Sequence, residues 1–158
     1  MSLYYLDASA LVKRYVDEVG SVWLRKLVDP ARSPLVFTSR MTIAEVSSAL
    51  ARRARDGSLT PAEFAAVRDA FRGDCLTEYR IMPPTMPVID RACTLLEQYP
   101  LRAYDAVHDA VHLATALEAQ RFLAAHGYPA LTFLSADDQL NRAAAAEGVA
   151  VDDPNQHP

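Results

Sequence analysis

The chain has few of the features that mark secreted or membrane-spanning proteins. Its 158 residues include two cysteines, Cys75 and Cys93, which stand far apart and form no CxxC pattern. We therefore expect free thiols in a reducing compartment. No apolar run approaches the ~20 residues of a transmembrane helix, and Asp7 interrupts the N-terminal segment where a signal peptide needs a long apolar stretch. These absences predict a cytosolic protein that is not attached to a membrane.

Positive charge is also scarce, because 16 Lys and Arg residues face 20 Asp and Glu residues and leave a formal net charge of −4. This balance argues against a protein that coats nucleic acid through bulk charge. It leaves room for a nuclease, since a bound metal ion can supply the local positive charge that phosphate needs. The chain has no lysine after Lys26, which counts against a phospho-accepting receiver domain, because receivers need a lysine late in the chain.

Short apolar segments alternate with helical patterns along the chain. The pattern predicts strands at 3–6, 35–38, 131–134 and 149–151, and helices at 8–16, 21–28, 42–55, 61–79, 88–98, 103–125 and 139–146. The proline-rich segment 82–87 is predicted to be a loop. Strands separated by helices predict a mainly parallel sheet with helices on both faces, a three-layer α/β/α sandwich. We expect 1–151 to form this single domain and 152–158 to form a loose tail.

Acidic residues stand where the predicted strands hand over to helices, or early in the helix that follows. They are Asp7, Glu45, Asp105, Asp109 and Asp137. If the strands are parallel, these acids come to one edge of the sheet, where ligand sites of such sheets lie. Carboxylates brought together repel each other unless a cation neutralises them. Oxygen ligands alone suit Mg²⁺ or Mn²⁺ better than zinc.

Each acid also has a purely structural explanation. Acids at helix N-termini stabilise a helix by about 0.3–1 kcal/mol without any chemistry. Asp7 could cap the helix at Ala8, and Thr42-Ile43-Ala44-Glu45 has the form of a capping box. Asp138 is interpreted as a solvated neighbour of Asp137. Capping would be served equally well by Ser, Thr or Asn, so an acid at every junction favours a shared site.

Four motifs resemble, in order, those of the PIN-domain family and especially of its VapC-type toxins. They are 6–13 (LDASALVK), 42–46 (TIAEV), 101–106 with 109–114 (LRAYDA and DAVHLA) and 134–140 (LSADDQL). The resemblance implies a parallel α/β/α sandwich that cleaves RNA internally with Mg²⁺ or Mn²⁺. It implies that Asp7, Glu45 and the third-motif Asp are carboxylate ligands, and that Asp137 completes the set directly or through water. Ser9 would hydrogen-bond a ligand or metal-bound water near Asp7.

The resemblance also implies partners. A VapC-type toxin would form a homodimer, take RNA as its substrate and be held inactive by a small cognate antitoxin protein. Two alternatives remain within the same family: an RNA-processing nuclease without a toxin role, and a non-catalytic PIN-like binding module. The intact acids in all four motifs argue against the binding module.

The third motif is duplicated, because Asp105-Ala106-Val107-His108 is followed at once by Asp109-Ala110-Val111-His112. Residues four apart lie on nearly the same helix face, about 6 Å apart along the axis. Both acids can therefore face the site, but only one of them can be the ligand that the resemblance assigns to the Asp of the third motif. Packing of the downstream helix fixes the register and favours Asp109. His108 and His112 have a spacing that could bind zinc, although the duplication explains that spacing without a metal.

Basic residues are most frequent in the helices that follow the second motif. They are Arg40, Arg52, Arg53, Arg55, Arg68 and Arg72. Such residues could steer RNA towards the site, but interleaved acids favour a solvated surface for most of them. Arg40, just before the helix that carries Glu45, is the better candidate for a phosphate contact. Ser135 is a second candidate for contact with the substrate.

Overall fold

The computed structural model describes residues 2–101 and 104–158, and within them a sheet of five parallel strands forms the centre. The strands are β1 (Leu3–Leu6), β2 (Leu35–Ser39), β3 (Tyr79–Met82), β4 (Thr132–Leu134) and β5 (Ala150–Asp152), in the order β3-β2-β1-β4-β5. The chain builds outward from β1 to β3 and then returns to place β4 on the other side of β1. The carboxyl ends of β1 and β4 therefore form the topological switch point, where ligands bind in such sheets.

Helices cover both faces of the sheet. They are α1 (Ala8–Leu11, continued by a 3₁₀ turn at Val12–Arg14), α2 (Ser21–Leu27), α3 (Met41–Arg55), α4 (Pro61–Thr77), α5 (Met86–Gln98), α6 (Ala106–Ala125) and α7 (Asp138–Ala146). None of these helices is both long enough and apolar enough to cross a membrane. The predicted helix start at Ala103 and the motif residue Arg102 lie outside the described residues.

Two hydrophobic cores lie on opposite faces of the sheet, because side chains alternate along each strand. Tyr5 and Phe133 point into the core formed with α5, α6 and α7, where their rings stack at 5.4 Å. Leu6 and Leu134 point into the core formed with α1 to α4. The predicted three-layer α/β/α sandwich is therefore confirmed.

The edge strand β3 is a correction to the predicted elements. The helical pattern predicted a helix as far as Tyr79 and a loop from Met82, but α4 ends at Thr77 and 79–82 pairs with 36–39 of β2. Ladder hydrogen bonds to β2 decide this conformation, and a local sequence pattern does not reveal them. Prolines follow the strand at once, as is typical at a sheet edge.

The predicted capping box at Thr42 is wrong. The helix α3 begins one residue earlier with no side-chain cap, and the Thr42 hydroxyl lies 2.7 Å from the Thr38 hydroxyl instead. Thr60 and Glu63 form a true capping box at the start of α4. Glu45 is thereby left available for contacts across the cleft.

The predicted loose tail is also wrong. Residues Pro154–Gln156 form a 3₁₀ turn with Pro154 buried, and Asn155 Oδ1 accepts a hydrogen bond of 2.9 Å from Lys13 Nζ. The His157 ring stacks on Trp23 at 4.0 Å. These contacts join opposite ends of the chain, so composition alone did not predict them.

Gly20 and Gly57 provide a matched test of the tail's packing, since both have φ +83°. We expect Gly57→Ala to cost about 1–2 kcal/mol through its left-handed backbone alone. A Cβ at Gly20 would lie 2.1 Å from the Pro154 carbonyl oxygen, whereas nothing lies within 4 Å at Gly57. Gly20→Ala should therefore cost about 1–3 kcal/mol more. Urea unfolding measures both losses, and equal losses would contradict the tight contact.

Candidate active site

A cleft of about 670 Å³ opens at the carboxyl ends of β1 and β4. All five predicted acids line it: Asp7, Glu45, Asp105, Asp109 and Asp137. Its other charged or titratable lining residues are Lys13, Glu18, Arg52, Arg53, His108 and His112. Parallel strands and the helices that follow them thus bring acids from four separate segments to one cavity.

Asp7 lies directly after β1 and is only 4% exposed. Its carboxylate accepts hydrogen bonds from the Ser9 hydroxyl (2.8 Å), the Ser135 hydroxyl (2.7 Å) and the backbone N–H of Ala10 (2.8 Å). Burial raises the pKa of Asp7 despite these donors and the nearby charge of His112. The Ala10 bond makes Asp7 the N-cap of α1, so its capping role and its place among the acids coexist.

Two serine hydroxyls tie the end of β1 to the segment after β4. Each donates to Asp7 and accepts from a backbone N–H: Ser9 from Ala136 at 2.9 Å, and Ser135 from Asp137 at 3.0 Å. Ser9 thus lies against Asp7, as the sequence predicted. Ser135 is fully buried, which corrects the prediction that it contacts the substrate. Its place is beneath Asp7, where it orients the carboxylate.

The structure separates the two acids of the duplicated motif. Asp109, in the first turn of α6, is 8% exposed, whereas Asp105 precedes the helix and is exposed. Burial and the charges of Asp137 and Asp7 raise the pKa of Asp109 to about 7. Its Oδ2 atom is buried and accepts no hydrogen bond from the described residues. Asp109 therefore belongs to the acid cluster, and Asp105 lies at its rim.

Asp137 completes this cluster from the N-terminus of α7. Its Oδ1 accepts from the backbone N–H groups of Gln139 (2.8 Å) and Leu140 (3.1 Å), so it also caps the helix. The neighbouring Asp138 is exposed and forms an ion pair with Arg142 on the helix surface. This agrees with the interpretation of Asp138 as a solvated neighbour.

Glu45 faces two histidines of α6 across the cleft. Its Oε2 lies 2.7 Å from His112 Nε2 and its Oε1 lies 3.3 Å from His108 Nδ1. His112 is 2% exposed, and its Nδ1 lies 3.0 Å from the Tyr5 hydroxyl. No sequence pattern directly indicated this pairing with Glu45. The only signal was the i, i+4 spacing of the histidines, which the duplication had explained.

The contact between Glu45 and His112 shifts the pKa values of both groups. Burial alone lowers the pKa of His112, but the hydrogen bond to Glu45 and the charges of Glu45, Asp7 and Asp109 outweigh burial and raise it. Burial acts to raise the pKa of Glu45, and the two histidines more than reverse this effect. The contact therefore favours the protonated form of His112 and the ionised form of Glu45. Both histidines lie against the same Glu45 carboxylate.

The acids of the cleft have the chemistry of a site for a divalent cation. Within 2–101 and 104–158, no three His, Cys, Asp or Glu side chains already form a group arranged to hold a metal ion. Two observations nevertheless fit a cation: the buried Asp109 Oδ2 lacks a donor, and Asp7 and Asp137 repel the charge of Asp109. A cation would supply the missing partner and relieve the repulsion. An all-oxygen donor set suits Mg²⁺ or Mn²⁺.

The basic residues divide into two groups. Lys13, Arg52 and Arg53 line the cleft, whereas Arg40 does not. Arg40 is exposed at the start of α3, and its backbone N–H donates to the Met82 carbonyl at 2.9 Å. Arg40 therefore lies outside the lining of the cleft, whose α3 residues begin at Ala44, and its contact with phosphate stays a prediction.

The raised pKa of Asp109 predicts a pH-dependent stability in EDTA. An aspartate titrates near 3.9 in an unfolded chain, so the folded state, with a pKa of about 7, holds this proton more tightly. Stability therefore falls as pH rises from about 4 to 7 and stays low above that range. Asp109→Asn removes this effect and should melt at a higher temperature than wild type at about pH 8, with the difference disappearing near pH 4.

The matched control for this measurement is Asp105→Asn, at the exposed acid of the same duplication. It should change the pH profile of the melting temperature far less than Asp109→Asn, because the charge of Asp105 is the smallest of the causes named for the raised pKa of Asp109. A stabilisation by Asp109→Asn that has the same size at both ends of the pH range would contradict the assignment.

Three comparisons with known proteins extend these findings. The model of the PIN domain family matches residues 4–146. Ribonuclease VapC45 of Mycobacterium tuberculosis (strain CDC 1551 / Oshkosh) is 37% identical over 153 residues, which covers 96% of this chain and 95% of the relative.

Solved structures share the fold at lower identity. Mycobacterium tuberculosis VapC20, described as a sarcin-ricin loop cleaving toxin, aligns with a TM-score of 0.59 and 19% identity over 99% of this chain and 100% of its own. A toxin–antitoxin complex from Klebsiella pneumoniae contains a chain that aligns with a TM-score of 0.55 and 18% identity, over 85% and 86% of the two chains. At these identities the structures show a common fold alone.

Proposed function

This chain belongs to the PIN-domain family, and on that premise we propose that it is an endoribonuclease that uses a divalent metal ion, Mg²⁺ or Mn²⁺. One observation carries the metal dependence: Asp7 and Asp137 lie so near Asp109 that their charges, added to burial, raise the pKa of Asp109 to about 7. Acids that are held together despite burial and mutual repulsion are typical of sites that bind a cation. The name of the 37% identical relative supports RNA as the substrate.

Asp7, Asp109 and Asp137 would hold the metal through carboxylate oxygens. When bound, the ion supplies a Lewis acid for the phosphate and lowers the pKa of a bound water. Ser9 and Ser135 would fix the orientation of Asp7 through their hydroxyl groups. Such supporting hydrogen bonds commonly tune the affinity of a metal site.

Glu45 would join the ligand set through Oε1 rather than Oε2. Its Oε2 is held at 2.7 Å by the buried His112, whereas its Oε1 faces the exposed His108 at 3.3 Å. Because the contact between Oε1 and His108 is longer and exposed, Oε1 could leave His108 and bind the metal instead. His112 would then keep Glu45 in place and ionised while Oε1 turns to the metal.

We further propose that the chain is the toxin of a toxin–antitoxin pair, acts in the cytosol as a homodimer, and is inhibited by a cognate antitoxin protein. The relative named Ribonuclease VapC45 and the toxin–antitoxin complex from Klebsiella pneumoniae support this role. An RNA-processing nuclease with the same site would not arrest growth.

A cleavage assay on defined RNAs with Mg²⁺, Mn²⁺ or EDTA tests the site. Asp7→Ala and Asp109→Ala should each reduce the cleavage rate by at least about 100-fold. That figure is the upper end of the loss expected when a residue that only supports a metal ligand is removed. Asp105→Ala should change the rate by roughly twofold, as an ordinary surface substitution of about 0.5 kcal/mol does. Wild-type cleavage that persists in EDTA, or a larger loss in Asp105→Ala than in Asp109→Ala, would overturn this assignment.

The toxin role is tested separately by induced expression of the chain without any antitoxin. Wild type should arrest growth, and Asp7→Ala, which disables the proposed site, should allow normal growth. Arrest by both proteins would show that growth inhibition does not come from cleavage. Normal growth with both, alongside cleavage in vitro, would favour the RNA-processing role.

A further inference from the structure

Among the described residues, three Lys or Arg side chains line the acidic cleft, and other groups of the protein hold two of them. Lys13 Nζ donates to Glu18 Oε1, the Val19 carbonyl and Asn155 Oδ1, each at 2.9 Å, which uses all three of its protons. Arg53 forms an ion pair with the other oxygen of Glu18. Lys13 therefore has no proton left to donate to a ligand, and Arg53 is held against Glu18.

Arg52 is different. It lines the cleft, is exposed, and has no ion pair or side-chain hydrogen bond with any residue in the described part of the chain. Asp56, one turn later, feels the charge of Arg52 but forms no hydrogen bond or ion pair with it; its Oδ1 accepts from the backbone and hydroxyl of Ser58. An exposed guanidinium at the wall of an acidic cleft is a ready partner for an anion.

The position of Arg52 relative to the acids is set by the helix that carries both. Glu45 and Arg52 are seven residues apart in α3, so they lie on nearly the same face and about 10.5 Å apart along the axis. That separation is about three times the 3.4 Å spacing of neighbouring nucleotides in a stacked strand. The backbone position of Arg52 therefore lies about two or three nucleotides along a strand from a phosphate held at the acids.

Small side chains line α3 between Glu45 and Arg52. The lining residues there are Ser48 and Ala49. A cavity of about 670 Å³ has the size of a small-molecule pocket, so it holds a few nucleotides of a single strand rather than a duplex. The cleft thus offers acids for a metal, and Arg52, further along α3, as a partner for an anion.

We propose that Arg52 is a phosphate subsite, which binds the backbone of single-stranded RNA about two or three nucleotides from the scissile phosphate. The inference rests on the proposed ribonuclease function. The planar guanidinium suits bidentate binding of a phosphate. The contact is to the backbone, so it positions RNA of any sequence rather than selecting a base.

The test compares Arg52→Gln with Arg55→Gln, an exposed arginine of the same helix that does not line the cleft. Loss of one phosphate contact should reduce the slope of log Kd against log salt concentration by about 0.7 for a single strand. Arg52→Gln should show this reduction and raise KM by about tenfold, with little change in kcat. Arg55→Gln should show neither change, and Arg52→Lys should keep the wild-type slope because the charge remains.

Binding is measured by fluorescence anisotropy of a labelled single-stranded RNA in EDTA, so the readout does not depend on cleavage. Shortening the RNA from each end in turn should reach a length at which wild type and Arg52→Gln bind equally. Equal salt slopes for Arg52→Gln and Arg55→Gln, with a wild type that cleaves RNA, would overturn the subsite and leave the proposed function intact. A wild type that binds RNA without cleaving it with any metal would instead overturn the proposed function.

Discussion

The Asp7 carboxylate lies at the end of the central strand β1, where almost no water reaches it. The side chains at the base of the cleft are arranged around this buried carboxylate. Burial disfavours the charged form, and the donors from Ser9, Ser135 and the Ala10 backbone offset part of that cost. The two serine hydroxyls also accept from backbone N–H groups after β4. The bonds that solvate Asp7 therefore also hold the carboxyl ends of β1 and β4 at a fixed separation.

The contact between Glu45 and His112 links two helices at the same site. The charges of Glu45, Asp7 and Asp109 raise the pKa of His112, which favours its protonated form beside these carboxylates. The Tyr5 hydroxyl lies against the other ring nitrogen, so the histidine is fixed from the sheet side and from α3. Removing Glu45 would leave the buried Nε2 of His112 without its partner, which is costly, so the contact is a determinant of how α3 and α6 lie against each other.

Features of the site that depend on local sequence patterns could be predicted, whereas features that depend on partners far away in the chain could not. The acids were predictable, because parallel strands with helical connections must bring their carboxyl ends to one edge. Asp109 was preferred over Asp105 from the packing register of α6, and burial supports that preference. The edge strand β3, the buried role of Ser135 and the ordered tail were not predictable, since each depends on partners far away in the chain. Local patterns carry no record of such partners.

The long-range hydrogen bond from Ser135 to Asp7 joins residues 128 positions apart, which has a consequence for biosynthesis. Asp7 and Glu45 are translated before Asp109 and Asp137, which lie far downstream of them in the chain. A nascent chain consequently carries the first two acids before the residues that orient or accompany them. The acid cluster can assemble only after Asp137 has been translated, so a ribosome still making the preceding segment does not carry the assembled cleft.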